Sequence, residues 1–333
     1  MIVDDSMRLG PEELERLRTA CGRRRIDPVR GLFGPRTVTW KIDREAAVLL
    51  GGGRALLLQI AHPLVAAGVA SHSRFRERPL ERLWRTLDLM LTIVFADAKA
   101  ALAAVAEIEC AHVRVRGALA VPVGRLPAGT AYAARDPALA LWVHATLVDS
   151  TLVAYERFVG PLRPHERAAY WEQSKTIARL LRVPDDMLPR TFAAFRQYMA
   201  TMIAGDELAV GRDGREAAAA ILRPPVPVGV AELFRLTRFV TVGLLPPSVR
   251  ARYGLAWNAA QDASLSALTA ASRRIVPLLP PCVRFLPHAR RAEARLRSTG
   301  KTGVSRAWWH ELLRVAVPAQ PPEPTISTSD STP

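Results

Sequence analysis

The stretch LAAVAEIECAHVRVRG, residues 102–117, carries the apolar pattern that decides the fold class of this chain. Its apolar positions recur at helical spacing: Leu102, Val105, Ile108 and Val115. His112 stands in the same series, where a further apolar residue is expected. Steps of three and four residues return to one face of an α-helix. The stretch therefore predicts a core helix over residues 97–116 with an imidazole on its apolar face.

Similar segments rich in Ala, Leu and Arg, bounded by Pro, Gly or Asp, make up most of the chain. We predict helices over residues 11–22, 43–51, 54–70, 79–95, 97–116, 137–158, 164–182, 187–203, 229–240, 258–275, 286–298 and 303–314. Strand signals are confined to residues 36–40, which are partly β-branched, and to residues 121–133, which favour a hairpin or an extended loop. The pattern predicts an all-α fold.

The length and composition fit one multi-helix domain with peripheral elements. The chain has 333 residues, of which 49% are hydrophobic, and this is enough for one large core. We predict four consecutive segments: an N-terminal helical extension (1–28), a main domain (29–300), a C-terminal helix (301–316) and a disordered tail rich in Pro, Ser and Thr (317–333).

The net charge is +15, and only four of the 46 basic residues are lysines. The arginines are dispersed and no nucleic-acid recognition module accompanies them, so the sequence predicts no specific nucleic-acid partner. The first residues do not resemble a signal peptide, and no charge-free apolar window of about 18 residues occurs. We therefore expect a cytoplasmic protein. The apolar and cationic segment 232–250 favours an additional, peripheral contact with membranes.

The imidazole of His112 has two interpretations. A buried imidazole without a partner costs about 1–3 kcal/mol, so a core histidine would need a backbone carbonyl or a carboxylate. Alternatively, its neutral nitrogen binds a haem iron, since an apolar helix face suits a flat porphyrin. Arg116 follows four residues later, where it could reach a haem propionate. Periodicity alone leaves both interpretations open.

Three ordered pieces of the sequence resemble a known family: GPRTVTWKIDREAAVLLGGGRALLLQIAHPLVAAGV, then HVRVRG, then WVHATLVDS. The chain looks like the MpaB-type oxygenases, which include the latex-clearing proteins, or rubber oxygenases, and the likeness covers roughly residues 30–300. The resemblance implies an all-helical, globin-related core with one haem b. It further implies that O2 is used to cleave carbon–carbon double bonds in isoprenoid chains.

The resemblance also implies roles for individual residues. It makes His112 the proximal iron ligand, with Arg116 beside it, and it sets Arg82 and Thr86 along the distal side. Rubber oxygenases can place a ligating lysine where this chain has Arg85, which stays protonated and cannot bind iron. We therefore count Arg85 among the residues that contact the cofactor without ligating it. This departure, and the lack of an export signal, favour a small apolar substrate over polymeric rubber.

Two further histidines are candidates. His62 precedes Pro63, which breaks the helical hydrogen-bond ladder, and it is either a distal-pocket group or a capping or carbonyl-bonded histidine at the kink. His144 is flanked by apolar residues and is either a core histidine or the alternative iron ligand. The glycines at 51–53 lack the GxGxxG pattern and predict a helix break. The histidines in charged or proline-rich stretches should be solvated: His165, His288 and His310.

Two other functions remain open at this stage. A haem-dependent dehydrogenase, a peroxidase-like enzyme or a haem sensor could use the same scaffold. A cofactor-free helical protein that binds lipid would instead explain the basic charge. The colour of the purified protein separates the haem proteins from the lipid-binding protein, and oxygen consumption separates an oxygenase from the other haem proteins. The sequence does not fix the oligomeric state.

Overall fold

A computed structural model describes residues 11–21, 27–72, 79–224, 229 and 231–297, with backbone alone for 79–83 and for several residues of the first helix. In this part of the chain the fold is mostly helical. The helices are α1 (Pro11–Cys21), α2 (Val38–Asp43), α3 (Gly52–Ile60), α4 (Pro63–His72), α5 (Pro79–Phe95), α6 (Ala98–Arg114), α7 (Pro137–Phe158), α8 (Pro164–Leu180), α9 (Phe192–Ala204), α10 (Arg212–Leu222), α11 (Ala231–Leu244), α12 (Pro247–Arg252), α13 (Ala259–Ile275), α14 (Pro281–Arg284) and α15 (Pro287–Arg297). Two strands, β1 (Arg116–Ala118) and β2 (Ala131–Ala133), pair antiparallel between α6 and α7.

The prediction of a mostly helical single domain is confirmed, although several of its local details are wrong. Residues 36–40 form no strand, because Thr37 caps α2 by accepting a hydrogen bond from the backbone N–H of Trp40 at 3.2 Å. Helix α10 was not predicted, because Gly211 and Gly214 resemble loop residues. A Cβ on Gly214 would lie 3.0 Å from the carbonyl oxygen of Ile60, so this glycine permits close helix packing. The predicted segments beyond residue 297 lie outside the described residues.

Helix α7 lies at the centre of the larger core. Its N-cap Asp136 accepts a hydrogen bond from the N–H of Ala138 at 2.8 Å, and Pro137 is pre-organised for the first turn. The helix is long and apolar enough to cross a membrane, but 67% of the relevant window is buried against other helices. Such burial is expected of a core helix. Helices α3, α8, α9 and α13 and a 3-10 helix over Ala46–Gly51 pack around it.

The glycines at 51–53 allow α3 to approach its neighbours rather than breaking the helix. A Cβ on Gly51 would lie 2.5 Å from the carbonyl oxygen of Ser150 on α7, and one on Gly53 would lie 2.2 Å from the hydroxyl of Thr241 on α11. The 3-10 helix passes directly into α3 at Gly52. The expected helix break lies later, at His62 and Pro63, where the chain bends by 103° into α4.

Helices α5 and α6 form an antiparallel hairpin over a second core. Only Ala96 and Asp97 separate them, and the carboxylate of Asp97 caps α6 by accepting from the N–H of Ala100 at 2.9 Å. Ile93, Phe95 and Val105 are fully or almost fully buried in this core. Residues at equal distances from the connection therefore lie side by side on the two helices.

Candidate functional site

The last turn of α6 positions His112, and the helix ends two residues later at Arg114. The sequence predicted that the helix would reach Arg116, with its side chain on the face of His112, and this placement is wrong. Val115 takes extended dihedral angles, and Arg116 begins β1, where it pairs with Ala133. The alternating Val and Arg residues suit a strand as well as a helix, and pairing with β2 decides between them.

His112 is half-buried, whereas the side chain of Arg116 is exposed. The carbonyl of Arg116 lies 2.9 Å from Nε2 of His72, which is the last residue of α4. The ring of His72 meets that of Tyr132 edge-on, at 6.2 Å between centroids. A Cβ on Gly117 would lie 2.6 Å from the hydroxyl of Tyr132. Tyr132 therefore joins this end of the molecule, although no spacing in the sequence pointed to it.

Arg82, Arg85 and Thr86 lie on α5, which packs against α6, the helix of His112. Arg85 on α5 and Glu107 on α6 form an ion pair across the hairpin at 2.6 Å. Arg82 lies 14 residues before Ala96 and His112 lies 15 residues after Asp97, so their backbones lie within about one turn of each other along the hairpin. Thr86 is exposed, while the side chain of Arg82 lies outside the described residues.

Arg85 faces solvent and is occupied by its carboxylate partner. Its side chain is 73% exposed and donates from both Nε and Nη2 to Oε1 of Glu107. An exposed ion pair of this kind contributes little to stability. The predicted contact of Arg85 with a cofactor stays a prediction, and it would require this ion pair to rearrange.

His62 lies in a different place, at the joint between α3 and α4. Its side chain is nearly buried, and its Nδ1 accepts a hydrogen bond from the N–H of Leu64 at 3.3 Å. Burial lowers the pKa of His62, against the raising effect of Glu207 and Asp136. Helix α4 separates His62 from His72 by about 15 Å, at 1.5 Å per residue. His62 is therefore remote from Arg116. Its observed hydrogen bond is that of a capping histidine at the kink.

His144 occupies the interior of the larger core on α7. It is 3% exposed, and both ring nitrogens lack a hydrogen-bond partner among the described residues. Its ring lies 6.2 Å from that of Trp171, which stacks on Phe195 at 4.3 Å. Burial lowers the pKa of His144 to about 4, so the imidazole is neutral at pH 7. A buried imidazole with two unsatisfied nitrogens is costly.

A buried ion-pair network lies on α7, one to two turns after His144. The carboxylate of Asp149 accepts from Arg54 at 2.7 Å and from Arg196 at 2.6 Å. Arg54 also donates to the hydroxyl of Ser150 at 2.8 Å and to the carbonyl of Leu244 at 2.9 Å. The network joins α3, α7, α9 and α11. Sequence reasoning missed it, although the acidic residue inside the apolar run WVHATLVDS was a visible signal.

A second, partly buried acid lies at the end of α2. Burial raises the pKa of Asp43 to about 7, although the hydrogen bond that it accepts from the hydroxyl of Tyr170 at 2.7 Å lowers it. Burial likewise raises the pKa of Tyr170 well above its usual value. Asp43 is thus a carboxyl group that titrates near neutral pH, and nothing in its sequence context indicated this.

The donor groups of the described residues are compatible with the haem that the resemblance implies. Among these residues no three side chains of His, Cys, Asp or Glu converge where they could hold a metal ion. An iron held by one imidazole needs its remaining ligands from elsewhere, and a porphyrin supplies four nitrogens. The half-buried His112 and the exposed guanidinium of Arg116 are the groups that an axial bond and a propionate contact require.

The fold and this arrangement define a mostly helical protein with a candidate cofactor end at the α5–α6 hairpin. The sequence matches the family described as "ER-bound oxygenase mpaB/B'/Rubber oxygenase, catalytic domain" over residues 40–274. This match covers about seven tenths of the chain. The protein therefore belongs to the MpaB and rubber oxygenase family, and the matched catalytic domain suggests oxygenase activity.

Two mycobacterial proteins are similar to the chain over most of their length. They are the uncharacterized protein Rv2237 of Mycobacterium tuberculosis and the uncharacterized protein Mb2261 of Mycobacterium bovis. Each is 29% identical over 232 residues, which cover 68% of this chain and 87% of the relative. No solved structure matches the chain.

Proposed function

We propose that this protein is a haem b-dependent oxygenase that uses O2 to oxidise a small, apolar, isoprenoid-like substrate. The observation that carries the proposal is the match to an oxygenase catalytic domain that contains α5, α6 and α7. The proximity of His112 to the helical level of Arg82 supports it. A globin-related haem core and an apolar substrate are parts of this proposal.

In the proposed site His112 would bind the haem iron. Its imidazole would have to be neutral to do so, and His112 is half-buried in the last turn of α6. Arg116 meets a propionate from β1 rather than from the helix. Bound haem supplies O2 binding and activation. Arg82 and Thr86 would orient O2 by hydrogen bonds.

The first test is an absorption spectrum of the purified protein before and after dithionite. We expect a Soret band that shifts on reduction. Colourless protein from haem-replete cells that also fails to take up added hemin would overturn the cofactor assignment. Oxygen uptake with unsaturated isoprenoids then separates an oxygenase from a haem-dependent dehydrogenase or sensor, because only the oxygenase consumes O2 in proportion to substrate.

The second test assigns the ligand. The His112→Ala variant should lose haem, and added imidazole should partly restore the spectrum by filling the cavity. The Arg116→Ala variant should lose less haem, since a propionate can also be solvated. The His144→Ala variant is the matched control, because it removes an imidazole from the same family-matched domain. Its Soret band should be unchanged.

The unpartnered ring nitrogens of His144 favour a specific rival assignment. Iron bound by His144 would satisfy one of these nitrogens inside the core. If the His144→Ala variant is colourless while His112→Ala keeps its spectrum, His144 is the ligand and the proposed site at the hairpin is wrong.

A further inference from the structure

A cleft of about 570 Å³ lies at the C-terminal end of α7. Its apolar wall comes from Val153 on α7 and from Leu244, Leu245 and Pro246, which connect α11 to α12. Helix α7 has 22 residues, so its two ends are about 33 Å apart at 1.5 Å per residue. Since β2 leads into the opposite end of α7, the cleft is remote from His112.

Three arginines line this cleft: Arg157, Arg250 and Arg273. Arg250 reaches only backbone carbonyls, those of Gly243 at 3.3 Å and Val242 at 3.5 Å. Arg273 donates to the carbonyl oxygens of Glu156 and Arg157. Within the described part of the chain no carboxylate pairs with Arg157. Carbonyl oxygens orient a guanidinium without neutralising it, so all three positive charges persist.

The acidic residues of the cleft are already engaged. The carboxylate of Glu156 pairs with Arg167 at 2.5 Å, and that of Asp262 accepts from the indole N–H of Trp257 at 2.6 Å. The indole ring of Trp257 also lies below Arg250, at 5.3 Å from its guanidinium carbon. The indole orients Asp262 without neutralising it, but the three arginines still leave the lining with a net positive charge, and neighbouring groups fix Arg250 and Arg273.

An exposed apolar projection continues from the same helix that supplies Arg273. After α13 the chain makes a 3-10 turn over Val276–Leu278 and then enters α14. Ile275, Leu278 and Val283 are 55%, 83% and 59% exposed, and Leu278 is the most exposed of the large apolar side chains that the structure describes. Exposed apolar side chains rimmed by cations are typical of surfaces that bind membranes.

We propose that this face docks on an anionic membrane surface. The phosphate group of a lipid enters the cleft between Arg157, Arg250 and Arg273, and the projection around Leu278 inserts into the interfacial region. The occupant is assigned by charge complementarity, since the cleft presents three cations beside apolar side chains on a chain of net charge +15. The inference goes beyond the proposed oxygenase function and does not depend on haem. It extends the expected membrane contact from the segment 232–250, which supplies Leu244 and Arg250 to the cleft, to residues 273–283.

The test is sedimentation of the full-length protein with vesicles of phosphatidylcholine alone and of phosphatidylcholine with phosphatidylglycerol. Binding should require the anionic lipid and weaken as salt is raised. The Leu278→Ser variant should bind about tenfold more weakly, because inserting one leucine contributes roughly 1.5 kcal/mol or more. The Arg157→Ala variant should bind about fivefold more weakly, at about 1 kcal/mol per basic residue near the surface.

Matched controls lie elsewhere on the surface. Val121 is 58% exposed and Arg212 has an 86% exposed side chain, so the Val121→Ser and Arg212→Ala variants should bind like the wild type. If the control variants lose as much vesicle binding as the test variants, binding depends on the overall properties of the chain and not on this face, and the docking site is wrong. Two further results would also overturn it. One is binding of inorganic phosphate to the cleft without vesicle binding, and the other is dissociation of a dimer by Leu278→Ser without any change in vesicle binding.

Discussion

Replacing Asp149 by Asn should cost more stability than any surface substitution, because it leaves a buried cation without its counter-charge. The side chains of Asp149 and Arg54 are 2% and 5% exposed, and their charged atoms lie 2.7 Å apart. Removing one partner of such a pair typically costs about 3–5 kcal/mol. Arg54 keeps its hydrogen bonds to Ser150 and Leu244, so we expect a value near the lower end of this range.

The ion pair between Asp149 and Arg196 provides a control within the same network. Arg196 lies 2.6 Å from Asp149, but its side chain is 57% exposed, and solvent screens an interaction of that kind to about 1 kcal/mol or less. The Arg196→Ala variant should therefore be nearly neutral. A double variant, Arg54→Met with Asp149→Leu, removes both buried charges and should be more stable than Asp149→Asn.

Urea unfolding at pH 7 followed by circular dichroism measures these differences, provided that the slope of the free energy against urea is unchanged. If Asp149→Asn costs no more than Arg196→Ala, the buried pair contributes no more than an exposed one and the reasoning is wrong. A double variant less stable than Asp149→Asn would also contradict the reasoning, because the loss of stability would then not come from an unpaired charge.

Three further results are expected from other parts of the fold. The Gly51→Ala variant should lose about 1–3 kcal/mol of folding stability, because its Cβ would meet the carbonyl oxygen of Ser150 at 2.5 Å. The Gly52→Ala variant should be neutral or slightly stabilising, because a Cβ there would have nothing within 4 Å. Equal thermal midpoints of the two variants would contradict this. The pKa of Asp43 is about 7 in the folded protein and 3.8 in the unfolded chain. The stability that its protonation contributes is therefore fully present below about pH 4 and is lost as the pH rises through 7. The wild type should accordingly gain about 1.4 kcal/mol per pH unit over Asp43→Asn as the pH falls within this window, and a difference that is constant with pH in urea titrations would refute the shift. The pKa of His144 is about 4 in the folded protein and 6.5 in the unfolded chain. The wild type should therefore lose stability relative to His144→Leu as the pH falls from 6.5 to 4. A stability difference between the two proteins that does not change with pH would contradict this.

The sequence by itself determined the helical class and the parts of the fold that depend on local signals. The bounds of α5 and α7 match the predicted ranges 79–95 and 137–158, because proline at the first turn and long apolar periodicity are properties of neighbouring residues. The bend before α4 follows from Pro63, which cannot donate a helical hydrogen bond. The family resemblance also needed only ordered motifs, and the match over residues 40–274 confirms it.

The tertiary structure decided which residues meet. Arg116 left the helix of His112 because its backbone groups pair with Ala133, a partner that periodicity cannot identify. His288, expected to be solvated, instead lies 2.9 Å from Asp88, two hundred residues away in the chain. Hydrogen bonds and ion pairs of this kind form only after distant segments pack, and their strength depends on the burial that packing creates. For the same reason only the folded chain shows that His144 lacks a hydrogen-bond partner among the described residues and that burial raises the pKa of Asp43 to about 7.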